Sequence, residues 1–306
     1  MTAPASRVSG VQRTLLAGAI DYAGLFPPAA LSMGDAARNY LEYAAGPESW
    51  ALGRFVVPVA RFAELDETAP AFAALAPHVE WKLSVLAGGP PAADRSLLDG
   101  VSTQAKFRMR IDAVEAKGTL LEGISALAPL CSPSWTLYVE IPFGSGIERH
   151  VEAVRALGAC VKLRTGGVTA DAFPSADALA NALEACAAAG VPFKATAGLH
   201  HPLRGSYPLT YAIDADRGLM FGYLNVLAAA VLVRRRAPHA DVVAMLEEKD
   251  ANAFRAKDGG LVWRDQSLSA DDIHAVRTTQ YHGFGSCSFR EPLDELRSLA
   301  AAGGAE

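Results

Sequence analysis

Short runs of apolar, often β-branched residues recur along this chain, separated by longer Ala/Leu/Glu-rich stretches with helical spacing. The runs lie near 17–21, 54–59, 80–86, 105–111, 136–141, 159–164, 192–197 and 279–284. Helical patterns fill the intervals at Met33–Ala45, 147–157 and Ala176–Ala189. Ser175 is placed to cap the last of these at its start, and Gly190 to close it at its end. Strands that alternate with helices build a parallel sheet. Eight such units in 306 residues predict an α/β fold, a (β/α)8 barrel formed as a single domain over 1–306.

One interval breaks the rhythm. The seventh and eighth strands are separated by 202–278, much longer than an ordinary connection. The spacing predicts an insertion at 203–277, mainly helical and able to serve as a lid. It holds an apolar helix within 218–233 that ends at Arg234-Arg235-Arg236, a second helix near 240–256, and a turn at Asp258-Gly259-Gly260. The apolar helix offers a face for a homodimer.

Charge and cysteine content exclude several classes. The net charge of −5 provides no basic field for nucleic acid or an anionic membrane. The stretch 218–233 is too short to cross a bilayer and carries Asn225 near its middle. Residues 1–8 contain no apolar signal core. The four cysteines form no C-x-x-C pair, so reduced thiols in a cytoplasmic protein are expected. There is no G-x-G-x-x-G fingerprint and no phosphate-binding P-loop.

Barrel chemistry sits at the C-terminal ends of the strands, and residues two apart on a strand share a face. That pairs Lys82 with Ser84, Lys106 with Arg108, Arg110 and Asp112, Tyr138 with Glu140, Lys162 with Arg164, and Lys194 with Thr196. The intervening residues are apolar and suit the outer, helix-facing side. The polar side therefore points into the barrel and lines it with lysine and arginine, with Asp21, Asp112 and Glu140 as acids. Such a lining reads either as a structural ion-pair network or as a site for a small anionic metabolite. A lysine beside another cation gives up its proton more readily and can attack a carbonyl as the free amine. Lys162 and Lys194, on neighbouring strands at similar depth, form that pair.

Five segments together resemble the deoxyribose-phosphate aldolase family of class I aldolases. They are IDYAGLFPPA at 20–29, VVPVARF at 56–62, VKLRTGG at 161–167, PFKATAG at 192–198 and GFGSCSF at 283–289. The resemblance implies that Lys162 is the Schiff-base nucleophile and that Lys194 lowers its pKa. It also implies that Asp21 organises the floor, and that the turn of Gly283, Gly285, Ser286 and Ser288 holds an anion at a helix N-terminus. The chain departs from the family at strand four. Arg108 or Arg110 stands where the family has an aspartate, leaving Asp112, Glu140 or a histidine to move protons.

The expectation is a carbon–carbon lyase acting on a small anionic carbonyl compound, with no organic cofactor, because the iminium is itself the electron sink. Lys82, Arg108, Arg110 and Arg164 are expected to bind the substrate's carboxylate or phosphate. His200, His201 and His282 are placed at the same mouth. Two other readings remain open. One is a metal-dependent lyase, hydrolase or isomerase using Glu140, His200 and His201, with His282 as a further candidate ligand. The other is a non-catalytic barrel that binds an anionic metabolite.

Overall fold

The structure, a computed structural model, describes residues 10–257 and 260–303. Residues 1–8, the Asp258-Gly259 part of the expected turn and the end of the C-terminal tail lie outside the described residues.

Seven barrel strands run in sequence: β1 (Ile20–Tyr22), β2 (Leu52–Pro58), β3 (Trp81–Leu86), β4 (Met109–Lys117), β5 (Thr136–Glu140), β6 (Cys160–Arg164) and β7 (Phe193–Thr196). A hairpin follows, β8 (Gly205–Pro208) and β9 (Arg217–Met220), and then a three-stranded antiparallel sheet of β10 (Phe254–Lys257), β11 (Gly260–Trp263) and β12 (Gln266–Leu268). Strand β13 (Tyr281–Ser286) completes the barrel. It pairs in parallel with both β1 and β7, closing the order β1-β13-β7-β6-β5-β4-β3-β2. All eight barrel pairings are parallel, so the (β/α)8 architecture expected from the alternation is the one observed.

The helices are α1 (Gly10–Leu16), α2 (Met33–Ala45), α3 (Phe62–Thr68), α4 (Pro91–Gln104), α5 (Leu121–Ile124), α6 (Ile147–Ala156), α7 (Ala176–Ala189), α8 (Tyr223–Arg234), α9 (His239–Glu247), α10 (Ala270–Thr279) and α11 (Arg290–Gly303). Ser175 caps α7 through the Ala178 amide, and Gly190 ends it in the left-handed region at φ 66°. Both caps follow from the sequence.

Strand four departs from the expectation in a way that reorganises the interior. It does not span 105–111 but starts at Met109 and runs to Lys117. Against β3, Leu83 pairs with Ile111 and Ser84 with Ala113, so Asp112 is an extra, bulged residue. Past the bulge the inward set becomes Ala113, Glu115 and Lys117. Lys106, Arg108 and Arg110 fall before the strand or at its N-terminal end. They are exposed and pair with Asp66 and Glu80.

The segment 203–277 is not mainly helical, because two small sheets share it with α8, α9 and part of α10. Nor is α8 an appendage. Every residue from Tyr223 to Leu232 is buried, against α7, α9, α10 and β13. The helix is therefore part of the barrel's outer layer and has no free face for a second copy. Its buried Asn225 is satisfied on both sides. Oδ1 accepts the Arg204 amide at 2.8 Å, and Nδ2 donates to the carbonyls of Met245 at 2.8 Å and Glu248 at 2.9 Å. The arginine run ends the helix as expected, and Arg235 reaches Ser267 and Asp272. Among the described residues no helix is long and apolar enough to cross a membrane.

Candidate functional site

The parallel register sets Lys117 beside Glu140, Glu140 beside Lys162, and Lys162 beside Lys194, on four successive strands. Residues paired in this way point to the same face, so Glu140 stands between two cations and Lys162 and Lys194 stand side by side on the barrel wall. Glu115 lies between the two lysines and binds both. Its Oε2 accepts from Lys162 Nζ at 2.8 Å and its Oε1 from Lys194 Nζ at 2.7 Å. Ser84 Oγ donates to Oε1 at 2.6 Å. Lys162 also reaches Glu140 at 2.9 Å, and Lys194 reaches Asp21 at 2.6 Å. Asp21 is held from beneath by Arg54, whose amide donates to Oδ1 at 2.7 Å and whose Nη1 lies 3.5 Å from Oδ2.

Burial alone would strip the proton from each lysine. Glu115 and Glu140 outweigh it for Lys162, and Asp21 and Glu115 outweigh it for Lys194, so both ammonium groups are held above the ordinary lysine pKa. Burial opposes the charge on Glu115 too, but the two lysines prevail and keep its carboxyl well below the usual range. The expectation that Lys194 lowers the pKa of Lys162 omitted this carboxylate, which screens one cation from the other.

Above the chain of ions lies a cavity of about 370 Å³. Glu115, Glu140, Lys162 and Lys194 form its floor, and Phe26, Pro27 and Pro28 narrow one side. The β8–β9 hairpin supplies another wall through Pro208, Leu209, Thr210, Tyr211 and Met220. Arg164 and Lys117, at the C-terminal ends of β6 and β4, are exposed at the mouth. Neither has an ion-pair partner among the described residues, so both are free to meet an anion.

Of the residues singled out in the sequence, Lys162, Lys194, Glu140, Arg164, His200, His201 and Gly285 line this cavity, with Asp21 supporting it from below. Several others do not. Lys82, Arg108 and Arg110 lie toward the N-terminal ends of their strands and are exposed there. Asp112 is the bulge residue, bonded to Arg110 at 2.5 Å and 3.9 Å from Arg54, with no place among the cavity-lining residues. His282 is the second residue of β13 and lies inside the barrel away from the mouth, with Nδ1 2.7 Å from Tyr138 Oη. Burial, with Arg54, Arg277 and Lys194 nearby, lowers its pKa to about 4. It therefore stays neutral and accepts from the phenol.

The segment expected as an anion-binding turn, of which Gly283, Gly285 and Ser286 lie in β13 itself, is also spoken for. Gly283, at φ 146°, packs so closely on Ala19 that a Cβ would stand 2.4 Å from its carbonyl oxygen. Ser286 Oγ accepts the Ser288 amide at 3.3 Å and lies 3.2 Å from His200 Nδ1, while Ser288 Oγ accepts the Glu291 amide at 3.1 Å. The Glu291 carboxylate faces the cavity at the start of α11. This places negative charge where a phosphate had been expected.

Glu140 is committed to Lys162, and it forms no ion-sized cluster with His200 and His201 among the described residues. His200 is buried, its pKa lowered to about 4 by desolvation and by His201, so its ring is neutral. Cys287 also lines the cavity, with Tyr211 Oη 3.5 Å from its sulfur, and burial pushes the thiol pKa up. All four cysteines are unpaired.

No family model and no curated protein matches this chain. The site must be read from its own geometry. Sequence reasoning missed Glu115, Arg54, Lys117, Glu291 and Glu295. The signal for Glu115 was present in the run Val114-Glu115-Ala116, one acid between two small apolar residues in strand spacing.

Proposed function

We propose that the barrel is a lyase that makes or breaks a carbon–carbon bond next to a small anionic carbonyl compound, through a Schiff base on Lys162. The observation that carries this reading is the position of Lys162. Its Nζ lies at the cavity floor between two carboxylates, with unpaired Arg164 and Lys117 above it. Those two cations suit a substrate carboxylate, which guanidinium binds in a bidentate manner. Lys194 is less suited to the attack, because it lies deeper, its side chain 2% exposed against 8% for Lys162.

In this scheme the resting ammonium of Lys162 passes a proton to Glu140 along their 2.9 Å contact. The free amine adds to the carbonyl carbon, and the protonated Glu140 returns its proton to the carbinolamine oxygen, which leaves as water. In the cleavage direction a carboxylate takes the proton of the β-hydroxyl. The carbon–carbon electron pair moves into the iminium, giving an enamine and an aldehyde. The enamine carbon is then protonated, and water hydrolyses the new iminium and frees Lys162. One water is released and one consumed.

Borohydride trapping with small aldehydes, ketones and keto acids, read by intact mass and peptide mapping, tests this. A stable adduct on Lys162, lost in Lys162→Met, supports it. An adduct on Lys194 keeps the chemistry and exchanges the two lysines. The fully paired state of both lysines favours a second reading, a barrel that binds an anionic metabolite without turnover. Tight binding of such a compound with no adduct from any of the panel would select that reading.

A further inference from the structure

We propose that the barrel cavity takes a zwitterionic compound, its carboxylate held by Arg164 and Lys117 and its ammonium group held by Glu291. The inference rests on reading this cavity as the substrate site, and it adds a positive charge to the substrate class given above.

Charge on the cavity floor is consumed internally. Glu115 answers both lysines, Glu140 answers Lys162, and Asp21 answers Lys194 and Arg54. Three lining groups, Arg164, Lys117 and Glu291, have no charged partner at ion-pair distance among the described residues. The one imidazole near Glu291, His200 at 3.7 Å, is neutral, because burial and then His201 lower its pKa to about 4.

These three groups do not sit together. Lys117 ends β4 and Arg164 ends β6, whereas Glu291 follows β13 at the start of α11. In the closed order, three strands separate β4 from β13 in either direction, so Lys117 and Glu291 stand on opposite sides of the barrel. The mouth is thus cationic on one side and anionic on the other.

The Glu291 carboxylate is not occupied in building its helix. Ser288 Oγ accepts the Glu291 amide at 3.1 Å, and the neighbouring Arg290 pairs with Glu48. His201 turns to Glu295, with contacts of 2.8 and 2.9 Å. Tyr211 Oη, from the hairpin wall, lies 3.4 Å from Glu291 Oε2. Burial pushes the Glu291 carboxyl pKa up, as it does for an acid short of a counter-ion. An ammonium on the cavity side supplies that counter-ion, with the Tyr211 oxygen as a second acceptor. A phosphate or a second carboxylate would meet repulsion there. Phe26, Leu209 and Met220 also line the cavity and suit a carbon skeleton between the two charged ends.

The test uses the full chain and ligands without a carbonyl group, so it does not depend on Lys162 chemistry. Binding is measured by calorimetry for ω-amino acids from 4-aminobutanoate to 8-aminooctanoate, for alkanoates of the same lengths and for the matching dicarboxylates. The best ω-amino acid is expected to bind about 10-fold or more tightly than its alkanoate, the worth of one charged hydrogen bond. Glu291→Gln is expected to abolish that preference and leave alkanoate binding intact, with a thermal melt to verify the fold. Glu291→Lys is expected to turn the preference toward the dicarboxylates. The proposal is overturned if no ω-amino acid outbinds its alkanoate and dicarboxylate, or if the preference survives in Glu291→Gln. Borohydride trapping with 4-oxopentanoate separates the two readings. An adduct on Lys162 without any ω-amino preference overturns this inference and keeps the lyase. A preference that depends on Glu291, with no adduct from any carbonyl compound, keeps the zwitterion site and removes the lyase.

Discussion

A carboxylate that accepts hydrogen bonds from two ammonium groups and a hydroxyl, deep inside a barrel, is an anion the fold cannot do without. Glu115 is that residue. In Glu115→Gln the shape is kept but the charge is not, so two ammonium groups share a neutral amide and one releases its proton. The pH midpoint for borohydride trapping on Lys162 is expected to fall by about one unit or more in this variant. An unchanged midpoint would show that Glu115 does not govern Lys162. Stability should fall by about 3–5 kcal/mol, the usual cost of breaking a buried pair, as read by denaturant titration. At the mouth, Arg164→Ala should weaken binding of carboxylated carbonyl compounds by about tenfold and leave uncharged analogues unaffected, in line with a lost charged hydrogen bond. Equal losses for both ligands would remove the carboxylate from the substrate class. Lys162, Lys194 and Glu140 were all legible in the sequence, because on β5, β6 and β7 simple alternation assigns the inward face correctly. Glu115 was hidden by a local event, the bulge at Asp112, which shifts the alternation by one residue. Strict alternation from Lys106 onward turns Glu115 outward and brings Arg108 and Arg110 in.

Elements were read more securely than their edges. Barrel strands and capped helices announce themselves through period and end signals, and eight parallel units leave few topologies open. The long interval before β13 was recognised, but its two small sheets were not, because short strands such as Arg217–Met220 merge into the apolar run of α8. The hairpin β8–β9 matters most here, since it walls the cavity. Asn225 identifies what ties this region together. It joins the chain just before the hairpin to the end of α9 through three hydrogen bonds. Asn225→Leu removes the partner of the Arg204 amide and of the Glu248 carbonyl, while the Met245 carbonyl keeps the Glu248 amide, and should cost about 2–4 kcal/mol. Thermal unfolding would register this, and a loss under about 0.5 kcal/mol, the range of ordinary surface changes, would contradict the role assigned to it.

For the molecule as a whole, two buried histidines set the acid limit. His200 and His282 are held near a pKa of about 4, against 6.5 for a free ring. Between those values the unfolded chain binds protons that the fold refuses, so stability falls as pH drops from about 6.5 to about 4. The contribution of Glu115 persists through most of that window, because its carboxyl is lowered. That of the two lysines is lost only as pH rises past their raised values. A plateau from about pH 7 to 9 and a decline below it are expected, on the order of 2–3 kcal/mol for each histidine. His282→Gln keeps an acceptor for Tyr138 and should reduce the decline. An unaltered slope would show that the ring titrates normally.

The axis of this barrel is filled by Arg54, Asp21, Lys194, Glu115 and Lys162 where many barrels stack aliphatic layers. Heat capacity is where that substitution would be felt. Exposing ions and hydrogen-bonding groups on unfolding lowers the heat-capacity increment that apolar surface raises, and the desolvation cost of charges shrinks on warming. The charged axis would thus give the fold a flatter stability curve, losing less with temperature than an all-aliphatic axis of the same size.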